Sequence, residues 1–338
     1  MSKAQLNNQA HKENRFSKDE FLKSLSDLDA THVNIGIFDL NGVFRHKRVA
    51  AQKAAKLFTD GYPFCDVLYK WDIAEKTYGG GVFDDQQAVL DASSLRSWPF
   101  GGKEAICIAD FSGSFGELSP RNQLVSQLER AREAGFSVHS AFEFEFTILD
   151  ETPETLREKS YDDLKFVAPG NRTYSLRTAV QHQELIEEFQ GSMKKMDVAF
   201  DAFHTELGPG CFEVPLKHAE GLKSADDAAL FKNFAKAFFA TKSMTAGFMS
   251  KLDNDMPGQS GHLHLSLRTL KDGSPVFYDG DTENGLSETA LHFIGGITTL
   301  LPDWLALCSH TVNAYKRLVP GAWAPTYSAW GIQNRTSA

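Results

Sequence analysis

Cysteine is scarce. Cys65, Cys107, Cys211 and Cys308 are the only four in 338 residues, far apart and without a Cys-x-x-Cys pair. This excludes a disulfide framework and a Cys/His structural zinc site, and it suits a reducing cytoplasm. Excess positive charge is also missing. With 35 Lys and Arg against 44 Asp and Glu, the formal net charge is −9, and no basic cluster offers the phosphate-neutralising surface of a nucleic-acid binder. No uninterrupted run of about 18 apolar residues is present to span a bilayer, and the opening stretch MSKAQLNNQAHKENRFSKDEF lacks the apolar centre of a signal peptide. The chain has no Walker A sequence and no Gly-x-Gly-x-x-Gly turn after a strand, so a nucleotide must be held by something other than a phosphate-cradling loop. Internal repeats and low-complexity tracts are absent as well. The expected partners are small molecules, with no nucleic acid and no membrane. The Asn171 and Asn334 sequons then carry no glycan.

What is present is an ordinary globular composition, 42% hydrophobic, with 26 scattered Phe that read as core. The length favours two domains. After a polar leader, Lys18 to Leu28 reads as a short helix, so residues 1–29 form a leader and helix. The run THVNIGIFDLNGVFRHKRV alternates on both sides of Asn41-Gly42, which predicts a hairpin. From Gly61 to Gly81 the chain is aromatic and Gly-rich, too irregular for a long helix. EAICIADF reads as a buried strand. Ser119-Pro120 opens a helix that ends at Gly135. SVHSAFEFEFTIL is a further strand, followed by helical patterns over Thr178–Met196 and Ala225–Phe248. The mixture gives an α+β class, with a first domain over 30–115 and a second over 116–338.

Four blocks carry chemistry. In AFEFEF, Glu143 and Glu145 share one strand face, about 6.7 Å apart along the chain, with Phe142, Phe144 and Phe146 on the other. Two carboxylates at that spacing repel by about 2.5 kcal/mol at an effective dielectric of 20, so a half-buried pair requires a cation, either a basic side chain or a metal. An exposed acidic strand face accounts for the pattern equally well. In HTELGPGCFEV, Glu206 and Glu213 flank a Gly-Pro-Gly turn that can bring them together, and His204 precedes them. In SGHLHLSL, the alternation puts His262, His264 and Ser266 on one face, with Leu263, Leu265 and Leu267 packed behind. Either histidine is a ligand or a hydrogen-bonded strand residue. Oxygen-rich ligation with one imidazole suits Mg²⁺ or Mn²⁺. Near the end, NAYKRLVPGAWAPTYSAWGIQNRTSA supplies Lys316, Arg317 and Arg335, and guanidinium groups suit carboxylates and phosphates.

In their order and separations these motifs resemble the glutamine synthetase family: EFEF, HTELGPGCFEV, SGHLHLSL, and NAYKRLVPG followed by NR. The resemblance implies a β-grasp-like N-terminal domain and a C-terminal glutamine-synthetase/guanido-kinase-like catalytic domain, assembled as a homo-oligomeric, dodecameric ring in which a neighbouring subunit closes each site. By position, Glu145, Glu206 and Glu213 resemble ligands of a first metal, and Glu143 and His262 ligands of a second that sits on the nucleotide phosphates. His264 and Ser266 resemble nucleotide contacts, and Gly258 or Gly261 a glutamate contact. Arg317 resembles the clamp on the glutamate carboxylate, and Arg335 the arginine at the γ-phosphate. The implied activity is attack of the glutamate side-chain carboxylate on ATP, giving γ-glutamyl phosphate, which an amine or ammonia then converts to an amide.

The sequence departs from the ammonia-using pattern. Trp323 stands where those members carry Glu, and FCDVLYKWD offers Asp66 one position away from their ammonium-binding Asp. A large apolar face suits an organic amine better than ammonium, so the expectation is a γ-glutamylpolyamine synthetase-like ligase ahead of glutamine synthetase itself or a non-catalytic structural relative. The resemblance further implies that the catalytic domain is incomplete at Ala338, lacking a further Arg, the last second-metal Glu and a glutamate-binding Arg.

Overall fold

The computed structural model describes residues 18–78 and 81–337, so the polar leader lies outside the described residues. Two compact units are present. One contains the chain up to Ala134 together with Glu188–Ala199 and Gly221–Phe234, and the other contains Gly135–Glu187, Phe200–Glu220 and the chain from Ala235 onward.

In the first unit, helix Lys18–Asp27 buries Phe21 and Leu25, which are one turn apart on a single face. Its sheet is built from β1 (His32–Phe38), β2 (Phe44–Ala50), β3 (Tyr62–Cys65), β4 (Asp85–Leu90), β5 (Arg96–Ser97) and β6 (Glu104–Phe111), in the order β2-β1-β6-β4-β3 with β5 on β6. β1 and β6 are parallel and the remaining pairs antiparallel. β6 is buried along nearly its whole length, as the apolar run EAICIADF predicts. The predicted hairpin joins β1 to β2, and Gly42 takes the positive φ of 74° that its turn requires. Asp39 closes the loop by accepting from the amides of Asn41 and Val43. Helix Pro120–Glu133 begins as its Ser-Pro start predicts, the Ser119 hydroxyl accepting from the Asn122 amide. Its Arg121 is buried among Asp91, Asp110 and Asp226 at 2.6–2.7 Å, which ties this helix and helix Leu222–Thr241 to the sheet.

The second unit is organised around one long strand. β7 (Phe136–Leu149) pairs antiparallel with β9 (Cys211–Pro215) and β10 (Ala219–Glu220) along one edge and with β11 (Thr245–Gly247) and β12 (Gly261–Thr269) along the other; β8 (His204–Thr205) extends the sheet from β9. The rear face of β7 is aromatic. Phe146 is fully buried between Phe248 and Phe239, with ring centroids at 5.2 and 6.1 Å, and Phe142 stacks on Phe144.

Three expectations change. The helix read over Thr178–Met196 is two helices, Leu176–Gln181 and Gln183–Lys195, because His182 at φ −112° leaves helical geometry between them. The helix read over Ala225–Phe248 runs instead from Leu222 to Thr241. Its end closes through Met244 N–H donating to the Phe239 carbonyl, Ser243 takes a φ of 59°, and Thr245–Gly247 then find ladder partners on β7. Leu263 and Leu265, expected to pack behind the histidine face, are 52% and 37% exposed, for among the described residues no element covers that side of β12 over them. Helix Glu288–Cys308 has the length and mean hydropathy of a membrane span, although Glu288, His292 and Asp303 interrupt it and Pro302 lies inside it. One such helix is weak evidence for a span.

Candidate active site

The front face of the β7 sheet carries the chemistry, and strand register explains how. Side chains two apart on β7 share a face, so Glu143 and Glu145 project together. Glu145 sits opposite Glu213 on β9, Glu213 opposite His204 on β8, and Glu143 opposite His262 on β12. His264 and Ser266 continue the same face opposite Ala141 and His139. Four segments remote in sequence thus place three carboxylates and their imidazoles in two adjacent cross-strand rows.

The distances are short. His262 Nδ1 lies 3.2 Å from Glu143 Oε2 and 3.9 Å from Glu213 Oε1, and His264 Nε2 reaches the same Glu143 oxygen at 3.0 Å. His204 Nε2 is 3.5 Å from Glu213 Oε2. Ligand atoms of Glu143, His204 and Glu213 all lie within 4.8 Å of one another. Glu145 is held from the loop before β12, where the Ser260 amide donates to Oε2 at 2.8 Å and the Ser260 hydroxyl donates to Oε1.

Crowding of like charge appears in the proton affinities. Burial, a shared hydrogen bond with Glu143 and the fields of Glu143, Glu145 and Glu206 push the Glu213 carboxyl up to about 9. Hydrogen bonding to His262 holds Glu143 far below the usual carboxylate range, and Glu143 in turn raises His262. A carboxyl that keeps its proton beside two ionised neighbours marks a donor set short of positive charge. The donors are oxygen-rich with a minority of imidazole, so the group formed by Glu143, His204 and Glu213 fits a hard divalent cation, with His262 beside Glu143.

Cationic groups border the cluster. Helix Val312–Arg317 is latched to the loop after β11 by Asn313, whose side chain accepts from the Lys251 amide at 2.8 Å and donates to the Lys251 carbonyl at 2.7 Å. The helix thereby presents Arg317. Burial lowers the affinity of Arg317 for its proton, the charge of Glu145 opposes that shift, and Arg317 in turn lowers His262. Gly258 lets Arg317 in, for a β-carbon there would stand 2.5 Å from Arg317 Cγ and 2.8 Å from Cδ. Gly261 lies at the start of β12, and a β-carbon there would meet only the Glu143 carbonyl, at 3.4 Å. Arg335 hydrogen-bonds Tyr174 and feels the charge of Glu206 and Glu213, which raise its affinity for the proton. Glu206 follows β8, its amide bonded to the Cys211 carbonyl across the Gly-Pro-Gly turn, and its field, with those of Glu145 and Glu213, joins burial in pushing up the Cys211 thiol.

Of the residues singled out from sequence, Glu143, Glu145, Glu206, Glu213, His262, His264, Gly258, Arg317 and Arg335 therefore gather around one sheet face. Ser266 is further along the same face, exposed. Trp323 is 73% exposed and adopts a φ of 54°, an uncommon conformation for a bulky residue. In the first unit Asp66 is buried and its carboxylate pairs with Lys70 Nζ at 2.6 Å. Sequence reasoning passed over His204 as a donor, although its place two before Glu206 on a strand signalled the shared face. It also missed Ser260 and Tyr174. Tyr174, whose ring lies 5.1 Å from that of His204, gives no sequence signal at all.

Known proteins resemble this chain over most of its length. The glutamine synthetase catalytic domain profile matches residues 117–338. The chain is 32% identical over 332 residues to type-1 glutamine synthetase 2 of Dictyostelium discoideum, covering 95% of this chain and 64% of that protein. It is also 32% identical over 315 residues to the glutamate–isopropylamine ligase of a Pseudomonas species, covering 90% of this chain and 68% of the ligase. The chain thus spans about two thirds of the length of these relatives. Among solved structures, a GmaS/ADP complex superimposes with a TM-score of 0.81 at 28% identity, over 94% of this chain and 72% of that one.

Proposed function

Since the chain belongs to the glutamine synthetase catalytic-domain family, we propose that it is an ATP-dependent ligase joining the γ-carboxylate of glutamate to a small amine through γ-glutamyl phosphate. The observation that carries this reading is the convergence of Glu143, Glu145, Glu213 and His262 on one sheet face, with Arg317 near enough to feel the charge of Glu145.

Magnesium or manganese bound there supplies charge neutralisation for the polyphosphate. The chain's own residues account for the rest. Arg317, half-buried and with little competing solvent, suits a substrate carboxylate, since a charge-assisted hydrogen bond strengthens as water is excluded. Ser260 fixes the Glu145 carboxylate through two donors, so it does not reorganise as charge develops. Arg335 is exposed and held by Tyr174, which suits it to the outermost phosphoryl group, and His264 and Ser266 extend the wall on the nucleotide side. Activating the carboxylate as an acyl phosphate replaces a poor leaving group with a good one, after which the amine attacks the carbonyl.

The acceptor is read as an organic amine for two reasons. Trp323 offers an apolar face with cation–π capacity where an ammonium site wants a carboxylate, and the Asp66 carboxylate is already paired with Lys70. One similar protein is named for isopropylamine. Another is named glutamine synthetase, so ammonia is the competing acceptor. The proposal includes a cytoplasmic location and assembly into a homo-oligomeric ring.

The test is phosphate release from ATP with glutamate and Mg²⁺ or Mn²⁺, comparing ammonia with mono- and polyamines. Amine-stimulated release above the ammonia rate is expected. Release that ammonia stimulates as well as any amine overturns the acceptor assignment, and no release from folded protein overturns the ligase.

A further inference from the structure

Away from the β7 face, the second unit holds a cavity of about 650 Å³ under the segment that leads from β7 into helix Leu176–Gln181. Its polar walls are Asn171, Arg172, Ser175, Arg177, Gln181 and His182, and none of its lining residues is Asp or Glu. In a chain of net charge −9 that composition stands out. Neither Arg172 nor Arg177 has a carboxylate partner among the described residues, unlike Arg45, Arg48, Arg96 and Arg121, each of which is paired with Asp or Glu. Two unpaired guanidinium groups on one half-open cavity, with a histidine beside them, create a positive potential that an anion relieves.

The wall is also tied to the Glu206 turn. One amide group, Asn171 Nδ2, donates to three backbone carbonyls, those of Glu206 at 2.9 Å, Gly208 at 3.1 Å and Cys211 at 2.9 Å. The Thr205 hydroxyl donates to the Arg172 carbonyl at 2.9 Å, and the Gly210 amide to the Ala168 carbonyl at 2.9 Å. The residue that turns the cavity wall is therefore the one that sets the path of the Glu206 loop. Solvated surface arginines are commonplace, but these border a cavity whose wall is fastened to the backbone of the loop that carries Glu206.

We propose that this cavity binds a small polyanion, a dicarboxylate or a phosphate, through Arg172 and Arg177, and that its occupation shifts the Glu206 loop, which joins His204 on β8 to the strand carrying Glu213, and hence metal affinity. Linkage makes the effect reciprocal, so metal shifts anion affinity by the same factor. The anion half of the proposal is independent of the ligase reading, because it is measured without nucleotide or metal.

The experiment is calorimetric titration of chelator-treated protein with inorganic phosphate and, separately, with succinate, at constant ionic strength against chloride. Saturable binding of one or both is expected, and which of them binds identifies the source of the anion. The exposed pair R172Q/R177Q should weaken it roughly tenfold or more, the usual consequence of losing a charge-assisted hydrogen bond, while R130Q, at an exposed arginine of helix Pro120–Glu133, should leave it intact. No saturable binding, or binding that R172Q/R177Q leaves unchanged, overturns the site. A second titration, with Mn²⁺ in the presence and absence of the bound anion, should show an anion-dependent affinity in the native chain and none in R172Q/R177Q. Identical Mn²⁺ affinity with and without anion overturns the coupling.

Discussion

Replacing Gly258 with alanine tests whether Arg317 is placed by packing or merely tolerated. The added β-carbon would stand 2.5 Å from Arg317 Cγ, 2.8 Å from Cδ and 2.9 Å from the Ser250 carbonyl oxygen. Ordinary carbon contacts are about 3.5–4.0 Å, so the side chain must retreat by about 1 Å. The carbonyl cannot yield freely, because it accepts the Gln259 amide at 2.8 Å and Gln259 leads directly into Ser260, the donor to Glu145. Helix Val312–Arg317 cannot yield freely either, since Asn313 fastens it to Lys251. Overpacking of this kind costs about 1–3 kcal/mol, which in a unit of this size lowers Tm by roughly 2–12 °C. The larger effect should fall on substrate binding. A guanidinium shifted by about 1 Å loses a charge-assisted hydrogen bond worth about 1.5–3 kcal/mol, so KM for glutamate should rise roughly ten- to a hundredfold, with less change for ATP. Melting curves read the packing, and phosphate release at varied glutamate reads the site. A G258A protein whose Tm moves by less than a degree and whose glutamate KM is unchanged refutes the argument. A fallen Tm with normal KM refutes only the placement of Arg317.

Glu145→Gln should leave the fold intact but remove the rise in Tm that Mn²⁺ gives the native chain, because a ligand that binds only the folded state stabilises it in proportion to the logarithm of its concentration; an undiminished rise places the metal elsewhere. Trp323→Glu should move acceptor preference from amines toward ammonia, and an unchanged amine profile shows that Trp323 does not set specificity. The pH dependence of the metal-free protein follows from Glu213 and His262, both raised in the folded state. The unfolded chain releases the Glu213 proton from its ordinary value of 4.5 upward while the folded chain keeps it to about 9, so the folded state binds more protons across that window. His262 acts in the same sense from its ordinary 6.5, and its stabilising contribution is lost as pH rises through its folded value. Tm in chelator should therefore fall between pH 6 and pH 9, with E213Q flattening most of the fall; a Tm that rises over that interval contradicts the assigned proton affinities.

Much was legible in the primary structure because period and punctuation are local properties. Alternation in AFEFEF and SGHLHLSL put Glu143 with Glu145 and His262 with His264 on common faces before any fold was known, and β7 and β12 keep those faces. Ser119-Pro120 and Asn41-Gly42 mark a helix start and a hairpin because capping and turn chemistry need only neighbouring atoms. The order of the motifs identified the family. The misread helices failed for a complementary reason. Nothing within Thr178–Met196 or Ala225–Phe248 announces that His182 breaks the first or that Thr245–Gly247 is drawn onto the far end of β7. The second outcome depends on a partner strand about a hundred residues away.

The site divides along the same line. Sequence by itself determined which residue types were available and which faces of their own strands they occupied, because side-chain alternation is set by the backbone of a single segment. Only the tertiary structure decided that Glu145 faces Glu213, that His204 joins them, that Ser260 holds Glu145, and that Gly258 leaves room for Arg317. Register between strands is a property of two segments at once, fixed by which apolar faces bury together. The unusual proton affinity of Glu213 likewise belongs to no residue alone, for it exists only once three carboxylates share one buried neighbourhood.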